Sequence, residues 1–457
     1  MEKLMLICAP VTSRSGYGAH ARDLVKSFMK HKKYDIRIAD VPWGDCPRNA
    51  LDKNNPEDKK MLDCILKQPN LERQPDIYVD IRIPNEFQLN GKINIGITAG
   101  IETTAVSQKW IEGCNRMDLV IVPSEHSKSG FVNSTYDKIQ NMPDGQQQKI
   151  GEFKLEKPME VLFEGVDENV FKPLTKDEID TEFFDWLNDE VPEKHAFLFV
   201  GQWCKGNFGE DRKDIGRTIK LFYETFANRK GKKPALILKT SGATFSIMDR
   251  EDCLRKINEI KSQFPKDFDL PNVYLLHGDM SQTELNYLYN HPKCKAMVSF
   301  THGEGFGRPL LEASMTGLPI IVSSWSGHLD FLNPQNCILL PGKLNKVPPG
   351  AVWEDIVIPE SQWFTVDEKQ AYNYLKSTFE NIEDVKTKGK KLMEENRSKF
   401  TLDKMTEELD RIMEKHLKDV PQQVGLKLPK LKSFSSSTKE KKPIVKLPKL
   451  KKELVNG

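Results

Sequence analysis

Short apolar runs, each closed by turn residues, alternate along this chain with stretches whose apolar residues recur every three or four positions. The runs predict buried strands and the recurrences predict helices. Leu4–Ala9, Tyr34–Ile38, Ile93–Thr98, Leu119–Val122 and Met159–Phe163 form one series of strands, with a helix after Ser15-Gly16-Tyr17-Gly18. Ala196–Val200, Ala235–Lys239, Val273–His277, Ala296–Phe300 and Pro319–Val322 form a second. Such alternation implies parallel sheets wrapped by helices. The chain should therefore be α/β, with two doubly wound domains whose ligands bind outside the carboxyl ends of the strands. Gln140–Pro158 is polar and predicts an exposed insertion. Ala371, Leu375, Phe379 and Ile382 repeat at helical spacing, as do Leu402, Met405, Leu409, Ile412 and Leu417, predicting two late helices.

The chemistry concentrates after the strand Ala296–Phe300, in His302-Gly303-Glu304-Gly305-Phe306-Gly307-Arg308-Pro309 and the helix that follows. Pro309 suits a first helical turn, where a missing amide hydrogen costs nothing, and Gly317 suits the stop. That places Glu304 in the loop and Glu312 on the first turns. Unpaired amides from Gly305 to Arg308, with the helix dipole, favour an anion. Glycines at 305 and 307 let backbone approach a ligand. Two ionised carboxylates, which only accept hydrogen bonds, suit the vicinal diols of a sugar and a ribose. A phosphorylated sugar is the ligand this pattern implies; the loop alone would read as an ordinary strand–helix turn.

Glu304-Gly-Phe-Gly-Arg-Pro-Leu-Leu-Glu312-Ala, followed by Gly317-Leu-Pro-Ile-Ile and Ser326-Gly-His328, resembles the family-4 glycosyltransferases, retaining enzymes of the GT-B fold. Gly165-Val-Asp167 with Val170, Phe171 and Pro173 is similar to that family's domain junction, and Phe197–Gly201 to the strand opening its second domain. Glu102, Trp110, Asp118 and Pro123-Ser124 resemble the first domain of mannosyltransferase-like members. The opening Ala9–Gly18 resembles glycosyltransferases encoded by tailed phages. The resemblance spans roughly residues 1–418 and implies two Rossmann-like domains facing across a cleft. It divides the chain into an acceptor-side domain at 1–175, a nucleotide-sugar domain at 176–372 and C-terminal helices at 373–420 crossing back onto the first domain.

The resemblance also implies a phosphate-binding Arg and Lys after Gly201. Lys213 matches the second, but the first falls on neutral Gln202, so Arg212 or Lys239 is expected to supply the missing charge. Lys213, Arg212 and Glu304 form the expected catalytic set. Donor binding is assigned to Gly16, Gly18, Lys239, Gly305, Phe306, Gly307 and Glu312, with Glu304 on sugar hydroxyls and Glu312 on the ribose. Glu102 matches the family's acceptor-side acid. No Asp-x-Asp suits a metal-bound nucleotide, so neither a metal nor another cofactor is expected beyond the nucleotide-sugar co-substrate. His20 reads as a helix-surface residue, His328 as a loop residue and Trp110 as helix core; His126 carries little signal.

Composition changes the picture in two places. Eight cysteines are scattered without a Cys-x-x-Cys pair, which argues for reduced thiols and against zinc. With no long apolar run and no signal-peptide pattern, a cytoplasmic location is expected. The chain carries a net charge of +2, yet residues 421–457 hold ten lysines against two glutamates. There Leu426-Lys-Leu-Pro429-Lys-Leu-Lys432 returns as Val445-Lys-Leu-Pro448-Lys-Leu-Lys451, a Lys-rich tail expected to be disordered alone and suited to nucleic-acid phosphates, an anionic membrane surface or mere solubility. Three functions follow: a glycosyltransferase acting on a glycan or similar hydroxyl acceptor, one acting on hydroxymethylated DNA bases, or a non-catalytic nucleotide- or glycan-binding module of the same fold.

Overall fold

The computed structural model describes residues 2–68, 71–142, 147–242 and 244–417. The Lys-rich tail at 421–457 lies outside the described residues. The first strand series runs β1 (Lys3–Ala9), α1 (Gly16–Lys30), β2 (Tyr34–Asp40), α2 (Pro56–Cys64), β3 (Ile77–Ile81), β4 (Ile93–Ile97), α3 (Gln108–Arg116), β5 (Leu119–Val122), α4 (Glu125–Asn133), β6 (Tyr136–Asn141), β7 (Gln147–Phe153) and β8 (Met159–Val161). The second comprises α5 (Thr181–Glu190), β9 (Ala196–Val200), α6 (Ile215–Phe226), β10 (Ala235–Lys239), α7 (Ile247–Lys261), β11 (Val273–Leu276), α8 (Gln282–Asn290), β12 (Cys294–Ser299), α9 (Arg308–Met315), β13 (Ile320–Ser323) and β14 (Ile338–Leu340). A hairpin of β15 (Gly342–Lys346) and β16 (Gln362–Val366) leads to α10 (Glu368–Glu380), α11 (Ile382–Lys399) and α12 (Leu402–His416). Among the described residues, no helix is long and apolar enough to cross a membrane.

Each series folds into a six-stranded sheet, ordered β2-β1-β3-β4-β5-β8 and β11-β10-β9-β12-β13-β14. Every pairing in both is parallel. Parallel strands covered by helices bury both faces, and β9 shows it: Ala196 and Leu198 pack into one apolar cluster, Phe197 and Phe199 into another on the opposite face. In the second sheet the strand order reverses between β9 and β12, and a crevice opens at such a point beyond the carboxyl ends of the strands. The loops leaving β9 and β12 carry Arg212-Lys213 and Glu304 respectively.

Several elements depart from the apolar-run pattern. β3, between β1 and β4, was not predicted because Asp80 interrupts its short apolar run. That carboxylate is buried and neutralised by Arg82, whose Nε and Nη2 donate at 2.7 and 2.8 Å. The predicted insertion at 140–158 contains one arm of the antiparallel hairpin β6–β7, which is exposed on almost every residue of β7 and so shows no buried alternation. β14 and the β15–β16 hairpin were likewise not predicted. The repeat from Ala371 to Ile382 is broken at Asn381, which leaves helical geometry (φ −126°, ψ 49°) and caps two helices in place of one. α11 buries only Gly389, Leu392 and Asn396 and offers little periodicity to read.

The chain crosses between the two sheets at 165–166 and returns at 400–402. The two passages are bonded to one another: Val166 N donates to Phe400 O at 3.1 Å, and Leu402 N to Val166 O at 2.9 Å. Beyond the second passage, α12 packs on the first domain. Met405, Leu409, Ile412 and Met413 join the cluster of Met5, Ile7, Leu24 and Val25, and Thr406 Oγ1 lies 2.8 Å from Ser27 Oγ of α1. Leu409→Ala should therefore destabilise the protein by about 2–5 kcal/mol through lost burial and the cavity left behind. Urea denaturation followed by circular dichroism reads the shift, and an unchanged midpoint would show that α12 is not part of that core.

Candidate active site

α9 begins as its residues dictate. Gly307 at the N-cap takes a left-handed conformation (φ 99°), Pro309 occupies the first turn, and the helix ends before Gly317 (φ 86°). Glu304 precedes it in a buried loop pinned by a Ser326 hydroxyl that accepts from Glu304 N at 2.9 Å. On the facing loop, Asp211 accepts from Lys213 N at 3.1 Å and from Ile215 N at 2.8 Å, fixing the turn into α6. The two loops meet. Lys213 Nζ donates to both Glu304 oxygens at 2.5 and 2.7 Å, and Arg212 Nη1 donates to Gly303 O at 3.1 Å and to Glu304 Oε2 at 3.3 Å. Burial pushes the Glu304 carboxyl up, but the adjacent Lys213 and Arg212 outweigh it and hold the carboxyl down at about 2.

Glu102 comes from the first domain, and its carboxylate lies 3.5 Å from Arg212 Nε. The predicted set Glu102, Arg212, Lys213 and Glu304 is thus brought together across the seam between domains. Gln202 is exposed, and Arg212 is the residue that brings the extra positive charge to Glu304; Lys239 instead donates to Gly278 O at 2.6 Å. Gly303 and Gly305 face the first domain, whereas Gly307 faces His328 and Leu310 of its own domain. A Cβ on Gly303 would lie 2.0 Å from Glu102 O, and one on Gly305 would lie 2.0 Å from Ala99 O. Ser124 Oγ, at the start of α4, donates to Gly305 O at 2.6 Å. Close approach of the two backbones requires glycine at 303 and 305.

Other predicted residues behave differently. Phe306, assigned to the donor, turns its ring into the core against Phe331 at a centroid distance of 5.0 Å, because the loop straddles the apolar cluster under α9. Gly18 allows a tight turn, since a Cβ there would meet Ser13 O at 2.1 Å, whereas Gly16 faces open space. His20, read as a helix-surface residue, is buried: α1 is covered by the second domain as well as by its own sheet, and burial pushes the imidazole down to about 4. His328 is fully buried in the short turn after β13, its Nε2 2.7 Å from Ser323 O. Trp110 is buried on α3.

Glu312 is buried on α9, and its Oε1 accepts from Arg308 Nε at 2.8 Å. The same guanidinium reaches Asp23 Oδ2 of α1 at 2.5 Å. Arg308, Asp23 and Glu164 are functional candidates that the sequence reading missed. The available signals were the four-residue spacing of Arg308 and Glu312 and the polar stripe His20, Asp23, Ser27 on the buried face of α1. Glu164 is buried just beyond β8.

Residues 259–343, from within α7 to the start of β15, match the profile of a family described as glycosyl transferases group 1. No curated protein matches the chain in sequence. Solved structures do. The chain is similar to HepE of Anabaena in complex with UDP and glucose, with TM-score 0.55 and 12% identity over 91% of this chain and 100% of that one. It is also similar to sucrose-phosphate synthase of Thermosynechococcus elongatus, with TM-score 0.58 and 12% identity over 91% and 99%. A glycosyltransferase of Rickettsia africae gives TM-score 0.56 and 13% identity over 92% and 99%. At such identities the likeness carries the architecture: the two parallel-sheet domains form a GT-B fold.

Burial pushes the Glu164 carboxyl up to about 7; Arg308 opposes the rise, while Asp23, Glu312 and Glu304 reinforce it. Unfolded, this side chain loses its proton near 4.5, so between that pH and about 7 the folded state holds one more proton than the unfolded. Its contribution to stability is complete below 4.5 and falls as pH rises through that window. Wild type should therefore lose stability relative to Glu164→Gln between pH 5 and pH 8, read as urea unfolding free energies at both values. Parallel profiles for the two proteins would refute the assignment.

Proposed function

We propose that this protein is a retaining glycosyltransferase that moves a sugar from a nucleotide-sugar donor to a hydroxyl acceptor. The observation that carries the reading is the convergence of Lys213, Arg212 and Glu304 at the carboxyl ends of β9 and β12, beside the N-terminus of α9. Positive charge and unpaired helix amides collect where strand order reverses, which is where an open α/β sheet takes a phosphorylated ligand. The family profile over residues 259–343 and the UDP held by HepE support a nucleotide sugar as that ligand.

In this mechanism Lys213 and Arg212 stabilise the negative charge that builds on the diphosphate as its bond to the sugar breaks, and the α9 amides share that work. Glu304 keeps both cations aimed at the leaving group and takes a sugar hydroxyl on the donor. Glu312 holds the ribose. The acceptor hydroxyl, placed from the Glu102 side, bonds to the anomeric carbon on the face the diphosphate leaves. Its proton passes to the departing phosphate oxygen. Arg212 replaces the charge absent at Gln202, which supports transfer over mere binding. The lysine and arginine meet the diphosphate's charge without a metal ion, so transfer should survive EDTA.

A thermal-shift series with UDP, GDP, ADP and their sugars tests the reading. A ligand at about 100 times its dissociation constant should add roughly 2.7 kcal/mol of stability. One nucleotide class should respond, and Glu312→Ala should abolish that response at the same concentration. No response from any nucleotide would overturn the donor assignment. With the responding donor and an acceptor panel that includes hydroxymethylated DNA, Lys213→Ala should lower kcat by roughly 100- to 1000-fold, the cost typical of removing one group that stabilises transition-state charge. An unchanged kcat would remove Lys213 from the mechanism, and activity lost to EDTA would remove metal independence.

A further inference from the structure

Arg308 opens α9 but takes no part in the charge cluster around Glu304. Its guanidinium spans the seam. Nε donates to Glu312 Oε1 at 2.8 Å within its own helix, and Nη1 donates to Asp23 Oδ2 at 2.5 Å on α1 of the other domain. All three side chains are buried. Further titratable groups share the space, among them Glu164, whose field acts on Arg308, His20, one turn before Asp23 on α1, and Arg22 and Tyr289, which feel the charge of Arg308. One guanidinium thus serves three carboxyl groups. Asp23 and Glu312 take its hydrogen bonds, while burial favours the protonated form of Glu164.

A guanidinium is a planar fork, and its two arms have a fixed angle between them. When one arm is gripped by Asp23, the other fixes where the Glu312 carboxylate lies and leaves Oε2 as the oxygen available to a ligand. A purely mechanical latch between domains would need only Asp23 and Arg308. Here the same cation also holds the carboxylate assigned to the ribose, so the contact between domains and the donor site share one side chain. Buried ion pairs of this type add little net stability, because the cost of desolvating the charges offsets their attraction.

We propose that Arg308 is a positioning residue of the donor site and that Asp23, on the opposite domain, sets the orientation of Glu312 through it. This rests on the reading of Glu312 as a nucleotide contact. Donor affinity in the second domain then depends on a residue of the first that the donor never touches. By linkage, the bound nucleotide favours the closed pairing of the two domains to the same degree.

Calorimetric titration of the full chain with UDP, GDP and ADP in a double-mutant cycle tests this. Asp23→Asn should weaken binding of the responding nucleotide about tenfold, within the usual range for coupled neighbours. In the Glu312→Gln background the same change should have no further effect. Arg308→Lys keeps the charge but loses the fork, so it should reproduce the Asp23→Asn loss and likewise add nothing to Glu312→Gln. It carries the cycle by itself if Asp23→Asn fails to fold, which melting curves without ligand would reveal. Wild-type affinity in both variants, or an equal loss in both backgrounds, would overturn the coupling while leaving the donor site in place. Failure of wild type to bind any of the three would instead overturn the glycosyltransferase reading, and this inference with it.

Discussion

A carboxylate taken out of water must be neutralised, and the seam between the two domains is built around that demand. Glu304 is buried against Lys213 and Arg212, and Glu312 and Asp23 are buried against Arg308. Removing one partner from such a pair leaves an uncompensated charge, whereas the intact pair adds little net stability. The charges therefore act on geometry. They draw the β9 and β12 loops together, tie α9 to α1, and fix side chains that would otherwise sample several rotamers in a wet cleft.

Backbone contact makes the seam tighter than charge alone would. Gly303 and Gly305 let the loop before α9 lie directly on the carbonyls of Glu102 and Ala99, and Ser124 completes the contact by donating to Gly305 O. Glycine in such a motif is usually read as room for a ligand; here it is first of all room for the other domain. Glu102 and Glu304 stand close because two main chains can touch, with Arg212 between their carboxylates.

Much of this was legible in the sequence. Five of the six strands in each sheet were predicted from apolar runs, and the α9 boundaries followed from Pro309 and Gly317. Lys213, Arg212 and Glu304 were grouped in expectation because the family resemblance implies a phosphate-binding Arg and Lys after Gly201 and a sugar-binding acid at Glu304. The failures have physical causes. β3 was hidden by the buried Asp80, whose charge is met by Arg82 two residues on. The side chain of Phe306 was assigned to donor binding, but a ring of that size flanked by glycines turns inward when an apolar cluster lies beneath it. His20 was read as a helix-surface residue, but α1 is covered on more than one side and the imidazole is buried. Asp23 and Arg308 are 285 residues apart, and only the folded domains bring them together.

The crossing strands also bear on how the protein is made. The core of the first domain, begun by β1 and α1, is completed by Met405, Leu409, Ile412 and Met413 of α12. A chain emerging from the ribosome presents residues 1–165 early, yet the apolar surface that α12 covers stays open until some 250 further residues are synthesised; at about 5–20 residues per second that is a wait of tens of seconds. The second domain, continuous in sequence, has no such wait. The part translated first is therefore the part finished last.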